Sequence, residues 1–129
     1  MNRPMFRFFL LAVALLGAVS SAAVADTWPS KPIRAIIPFG PGSAVDVVPR
    51  IVFEQMSQQL GQGIVVENRG GAGGTIGSAL VAKADPDGYT ILVHSSAHTI
   101  TPSIYPNLSY STEKDFVTVG AIGSVPNIM

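Results

Sequence analysis

The stretch PIRAIIPFGPGSAVDVVPRIVFEQMSQQL, residues 32–60, carries three patterns in succession. Pro32 to Phe39 is short, isoleucine-rich and bounded by prolines, which predicts a buried strand. The next residues, PFGPGSAVD (38–46), concentrate proline and glycine and predict a tight loop. Val48, Val52, Met56 and Leu60 then recur every four residues, and Val47 and Ile51 widen the stripe. That spacing predicts an amphipathic helix ending at Gly61.

The rest of the chain repeats the theme. GIVVEN (63–68) predicts a second buried strand, and RGGAGGTIG (69–77) a second glycine loop. Ile76, Leu80, Val81 and Ala84 predict a short helix behind it, and DPDG (85–88) is turn chemistry. YTILVH (89–94) predicts a third strand, followed by a polar loop, SSAH (95–98). A looser segment rich in Pro, Tyr and Ser leads to DFVTVGAIG (115–123), expected to be a fourth strand. Strands alternating with helices across short crossovers predict an α/β fold, a parallel sheet with helices on both faces.

In such sheets ligands sit beyond the carboxyl ends of the strands. Phe39–Val45, Arg69–Thr75 and Ser95–His98 all fall at that edge. Glycine loops that feed helix N-termini leave backbone N–H groups aimed at the loop, where they and the helix dipole favour an anion. For a single loop, turn geometry alone is the simpler reading. Two such loops at one edge, with Ser95 and Ser96 in the third, favour binding. Asp46 is expected to cap the helix, since a start there leaves Pro49 in the first turn, where a missing N–H costs little. The alternative makes Ser43 the cap and Asp46 the end of a Ser-x-x-Asp box.

The chain has no cysteine, so its fold rests on its core without disulfides. MNRPMFR, an apolar run from Phe8 to Val19 and an Ala23-Val24-Ala25 ending are the three parts of a secretory signal peptide, with cleavage expected after Ala25. The apolar run is shorter than the roughly 20 residues of a membrane span. Eight basic residues balance eight acidic ones in the whole chain; loss of Arg3 and Arg7 leaves six against eight, a net charge of −2. No basic cluster remains, so nucleic acid is not an expected partner. The apolar SVPNIM ending (124–129) has no cap or charged tail and reads as a truncation.

Catalytic signals are weak. Neither glycine loop carries the Gly-Lys-Ser/Thr of a P-loop, and GAGGTIG is one residue longer than the dinucleotide fingerprint. Ser43 lacks a Gly-x-Ser-x-Gly frame. His94 and His98 have a ligand-like spacing but straddle a strand end and a loop, so a polar loop contact for His98 is favoured over a metal. No cofactor, metal or catalytic residue is expected. A Rossmann-type nucleotide-binding enzyme is the less favoured alternative.

Taken together, WPSKPIRAIIPFGPGSAVDVVPRIV, GQGIVVENRGGAGGTIGSALVAKADPDGYTILV and DFVTVGAIGSVPNIM resemble the substrate-binding proteins of tripartite tricarboxylate transporters, the Bug family. The resemblance covers nearly all of residues 26–129 but only the first part of the family's longer members. It implies a periplasmic-binding-protein-like fold, with 26–129 as the first lobe of a two-lobed receptor, ending near the crossing to the second lobe. It also implies periplasmic capture of a di- or tricarboxylate or similar metabolite, handed to membrane permease subunits; an exported receptor feeding a signalling partner is the other option. Carried over by motif, the family's site maps to Phe39, Gly42, Ser43, Ala44 and Asp46 in the first loop. The second loop contributes Ala72, Gly73, Gly74 and Thr75, and the third Ser95 and His98. The family usually has glycine at Ser43, threonine at Val45, proline at Gly70 and alanine at Pro49. Ser43 therefore adds a hydroxyl donor that Val45 takes away.

Overall fold

The computed structural model describes residues 27–124. The signal peptide expected at 1–25 and all but the first residue of SVPNIM lie outside them. Three strands, β1 (Ile33–Ile37), β2 (Ile64–Asn68) and β3 (Thr90–Leu92), form one sheet in the order β2-β1-β3. Both pairings are parallel, with Ile33 opposite Ile64 and Ala35 opposite Ile91. Helices α1 (Ala44–Leu60) and α2 (Thr75–Ala82) make the two crossovers, and α3 (Ala97–Ile104) follows β3.

β1 is the central strand, so its side chains meet protein on both faces. Ile33, Ala35, Ile36 and Ile37 are all buried, which is why the segment reads as an unbroken apolar run. The crossover from β1 to β2 and that from β2 back past β1 to β3 run in opposite senses across the sheet. Right-handed crossovers then set α1 and α2 on opposite faces. On the α1 face Ala35, Ile37 and Val93 pack with Phe53 of α1. On the other, Gly77 of α2 lies against Pro38: a Cβ there would come within 2.8 Å of the Pro38 side chain and of the Arg69 carbonyl. The expected parallel α/β arrangement is present.

Four local expectations are corrected. The stripe of α1 that faces the sheet is Val45, Pro49, Val52, Phe53, Met56 and Leu60, whereas Val47, Val48 and Ile51 point outward, Ile51 64% exposed. Four-residue spacing drifts from the true 3.6-residue turn, so a stripe drawn from Val48 tilts off the buried face. Second, α1 starts at Ala44 with Ser43 in the extended N-cap conformation, and Asp46 lies in the first turn. Pro49 therefore sits inside the helix, where it cannot donate to the Val45 carbonyl. The anchoring of Asp46 described below offsets that loss. Third, SSAH is only half loop, since Ala97 opens α3. Fourth, 115–123 forms no strand. No neighbouring strand accepts its backbone bonds, and Val117 and Val119 are more than nine-tenths exposed. Among the described residues no helix is long and apolar enough to cross a membrane.

Candidate functional site

Because all three strands run the same way, their carboxyl ends open onto one edge, and hydrogen bonds tie the three loops together there. Arg69 N–H donates to the Ile37 carbonyl at 2.8 Å, and Val93 N–H to that of Ile36 at 2.9 Å. The Asn68 amide donates to the Phe39 carbonyl at 3.0 Å. Gly42, Gly74 and Ser95 thus lie at a common edge, as the sequence predicts.

The first loop is braced from below by Asp46, which is 3% exposed. One carboxylate oxygen accepts Gly42 N–H at 2.9 Å. The other accepts Arg50 Nε and Asn68 Nδ2, each at 2.9 Å. Arg50 in turn donates to Asn68 Oδ1 at 2.9 Å. The Arg50 hydrogen bond, then those from Gly42 and Asn68, hold the Asp46 carboxyl well below the usual carboxylate range. Asp46 reaches back to Gly42 N–H, one residue before the N-cap, rather than to the N-cap N–H of a capping box, and the Ser43 hydroxyl makes no cap bond. Its geometry is that of a brace whose oxygens are turned into the protein. Phe39 and Ser43 are half-buried above it, and Gly42 and Ala44 are exposed.

The second loop carries the strongest backbone departure in the described chain. Gly71, Ala72, Gly73 and Gly74 have φ of 128°, 46°, 65° and 94°. Three glycines accept these values; Ala72 does so at a cost of about 1–2 kcal/mol. Within the turn Gly74 N–H donates to the Gly71 carbonyl at 2.9 Å and Thr75 N–H to the Ala72 carbonyl, so any donors it leaves for an anion come from the residues before Gly74; Thr75 opens α2 directly behind it.

The third loop is organised by His94. Its ring packs edge-on against Phe39, with centroids 5.0 Å apart, and lies 5.1 Å from the ring of His98. A Cβ on Gly74 would meet His94 Nε2 at 2.7 Å. One imidazole therefore touches all three loops. Ser95 N–H donates to His94 Nδ1 at 3.0 Å, and His98 N–H to the Ser95 carbonyl at 3.0 Å. His98 is packed by Tyr110 and Phe116 on its far side. Burial pushes both imidazoles below the ordinary histidine range. Ser43 Oγ, His94 Nε2 and both His98 nitrogens are buried without a hydrogen-bond partner among the described residues.

The structure thus gathers the residues mapped from the sequence at one edge, with Asp46 set beneath it. Sequence reasoning gives no role to Asn68 and Arg50, which tie the first loop down, or to Tyr105, whose hydroxyl lies 2.9 Å from where a Cβ on Gly73 would stand. Asn68 ends the second strand, and nothing in the order of residues signals that its amide turns towards Phe39. Among the described residues no group of three or more His, Asp or Glu is placed to hold a metal. Backbone N–H groups, hydroxyls and neutral imidazoles are what this edge offers: donors for an anion.

The model of the tripartite tricarboxylate transporter family receptor matches residues 48–129. The chain belongs to that family. It is 42% identical over 119 residues to a UPF0065 protein from the tcbD-tcbE intergenic region of Pseudomonas sp. strain P51, an alignment covering 92% of this chain and 35% of that relative. Among solved structures it is similar to a periplasmic transporter, at 48% identity and a TM-score of 0.63, over 66% of this chain and 29% of that one. It is also similar to MatC from Rhodopseudomonas palustris with bound malate, at 38% identity and a TM-score of 0.65, over 69% and 31%. This receptor-family chain spans about a third of the length of its matched relatives. Its parallel α/β lobe is the fold those structures share.

Proposed function

We propose that this chain is the first lobe of a periplasmic receptor that captures a small carboxylate-bearing metabolite and delivers it to the membrane subunits of a tripartite tricarboxylate transporter. The observation that carries the reading is the convergence of three loops at one sheet edge, where the turn Gly71–Gly74 runs through left-handed backbone and the Ser43 hydroxyl is left without a partner among the described residues. Phe39, Gly42, Ser43, Ala44, Ala72, Gly73, Gly74, Thr75, Ser95 and His98 form the ligand wall, and Asp46 holds the first loop in place. The malate bound by MatC supports a carboxylate ligand. Family membership favours a binding protein over an enzyme. Residues 1–25 act as the signal peptide.

Titration calorimetry of the full-length receptor with malate, succinate, adipate and citrate tests the proposal. Micromolar binding of one or more, weakened at least tenfold by Ser43→Val or Gly73→Ala, is expected. Silence towards every carboxylate, with tight binding of a cationic or neutral solute instead, overturns it.

A further inference from the structure

His94 lies outside the set of residues assigned to the ligand wall, yet it is the side chain on which the three loops close. Its Nδ1 stands between the two polar groups of one peptide residue, 3.0 Å from Ser95 N and 3.1 Å from Ser95 O. A backbone N–H only donates, so the first contact makes Nδ1 an acceptor and puts the proton of the neutral ring on Nε2. A doubly protonated ring cannot accept at Nδ1; its only partner there is the Ser95 carbonyl. The neutral ring with its proton on Nδ1, or the doubly protonated ring, donates to the Ser95 carbonyl instead, so the two contacts belong to two states of the ring.

Resting on the carboxylate-receptor reading above, we propose that His94 is a proton-operated latch on Ser95. In the free protein the neutral imidazole occupies the Ser95 N–H. A carboxylate arriving at the loop edge draws one proton from solvent onto the ring, Nδ1 turns from accepting the N–H to donating to the carbonyl, and the released N–H faces the anion.

The surroundings suit this assignment. The loop after β1 presents Phe39 to the ring, the turn before α2 presents Gly74, and α3 presents His98, whose outer face meets Tyr110 and Phe116. Among the described residues no carboxylate hydrogen-bonds either imidazole, and the oxygens of Asp46 are engaged by Gly42, Arg50 and Asn68. Burial and the second imidazole hold His94 neutral. An anionic ligand is the counter-charge the pair lacks, and it raises the proton affinity of the ring as it binds. His94 acts through Ser95 and is a positioning residue.

Malate, essentially dianionic between pH 6 and 8, serves as the probe for calorimetry on the full-length receptor, in Mes and in Bis-Tris at pH 6.5. Unequal heats corresponding to net proton uptake are expected, with binding about three- to tenfold tighter at pH 6 than at pH 8. His94→Gln, which keeps a side-chain donor but does not titrate, should bind with pH-independent affinity and no uptake. Equal heats in the two buffers, or binding that weakens towards pH 6, overturns the latch while leaving the receptor reading intact. Failure of malate and of every other carboxylate to bind overturns both.

Discussion

The side-chain amide of Asn68, the last residue of β2, donates to the carbonyl oxygen of Phe39, the first loop residue beyond β1 and Pro38, at 3.0 Å. Its second amide hydrogen goes to Asp46 and its oxygen accepts from Arg50. The first loop is therefore held by a residue of the neighbouring strand, and its shape depends on that amide. Asn68→Ala leaves the Phe39 carbonyl and one Asp46 bond unpaired, at a cost of about 1–3 kcal/mol. Urea titration should show that loss of stability, and exchange of the Gly42 amide hydrogen should quicken. Asn68→Asp should not rescue, because a carboxylate cannot donate to Phe39 and sets a like charge against Asp46.

Gly74 combines a φ of 94° with His94 Nε2 lying 2.7 Å from where a Cβ would stand. Gly74→Ala is expected to cost about 1–2 kcal/mol for the backbone and ~1–3 kcal/mol for crowding. Gly40→Ala, with open space around it and no left-handed φ, should lie within about 0.5 kcal/mol of the parent. Thermal unfolding of the two variants measures the difference directly. Equal midpoints would show that the second loop yields where the geometry says it is fixed.

How much of this was legible beforehand follows from which forces act locally. The buried run Ile33–Ile37 and the turn chemistry of Asp85–Gly88 announce themselves because apolar continuity and glycine placement are properties of neighbouring residues. The phase of α1 does not follow from its residues, because Val47, Val48 and Ile51 are as apolar as the true face. Only the position of β1 decides that Phe53 is inside. Pro49 alone favours Asp46 as the cap; the bonds that hold Asp46 in the first turn come from Arg50 and from Asn68, the latter 22 residues away in sequence. The gathering of the loops at one edge was legible because parallel topology dictates it. The role of His94 was not, since it depends on the contact of one ring with Phe39, Gly74 and His98 at once.

Acid should loosen the lobe through two carboxylates. Hydrogen bonds from Arg34 and then Arg69 lower Glu67 to about 2, and those of Arg50, Gly42 and Asn68 depress Asp46 further. Both folded values lie below the unfolded ones, near 4. Their contribution is therefore complete above about pH 5 and is lost as pH falls through 4 towards 2. The Arg34–Glu67 pair is partly exposed, so salt screens its share, whereas the Asp46 share persists. Chemical denaturation at pH 3 and pH 6 should show lower stability at pH 3, with a smaller difference in Asp46→Asn.

Export should remove the first 25 residues. Intact-mass measurement on protein recovered from the periplasm is expected to give a species beginning Asp26-Thr27-Trp28. A membrane-bound species retaining Met1 to Ala25 contradicts the signal-peptide assignment.

The lobe by itself should bind weakly. Its edge offers backbone N–H groups and a few hydroxyls on an open face, where water competes and each contact nets roughly 1 kcal/mol. Association must also offset lost translational and rotational freedom, at least about 4 kcal/mol. A handful of open contacts barely exceeds that. A second lobe, which we assign to the two thirds of the relatives' length outside this chain, would close over the ligand, expel water and strengthen every hydrogen bond to it. Residues 26–129 alone should therefore bind malate or succinate no more tightly than about millimolar, near −4 kcal/mol, and the full-length receptor micromolar or better. The outward apolar side chains Val47, Val48 and Ile51 of α1 and Val117 and Val119 of the tail should also make the isolated lobe self-associate. Calorimetry on both forms decides the matter: micromolar binding by residues 26–129 would mean that the three loops are a complete site and that closure adds nothing.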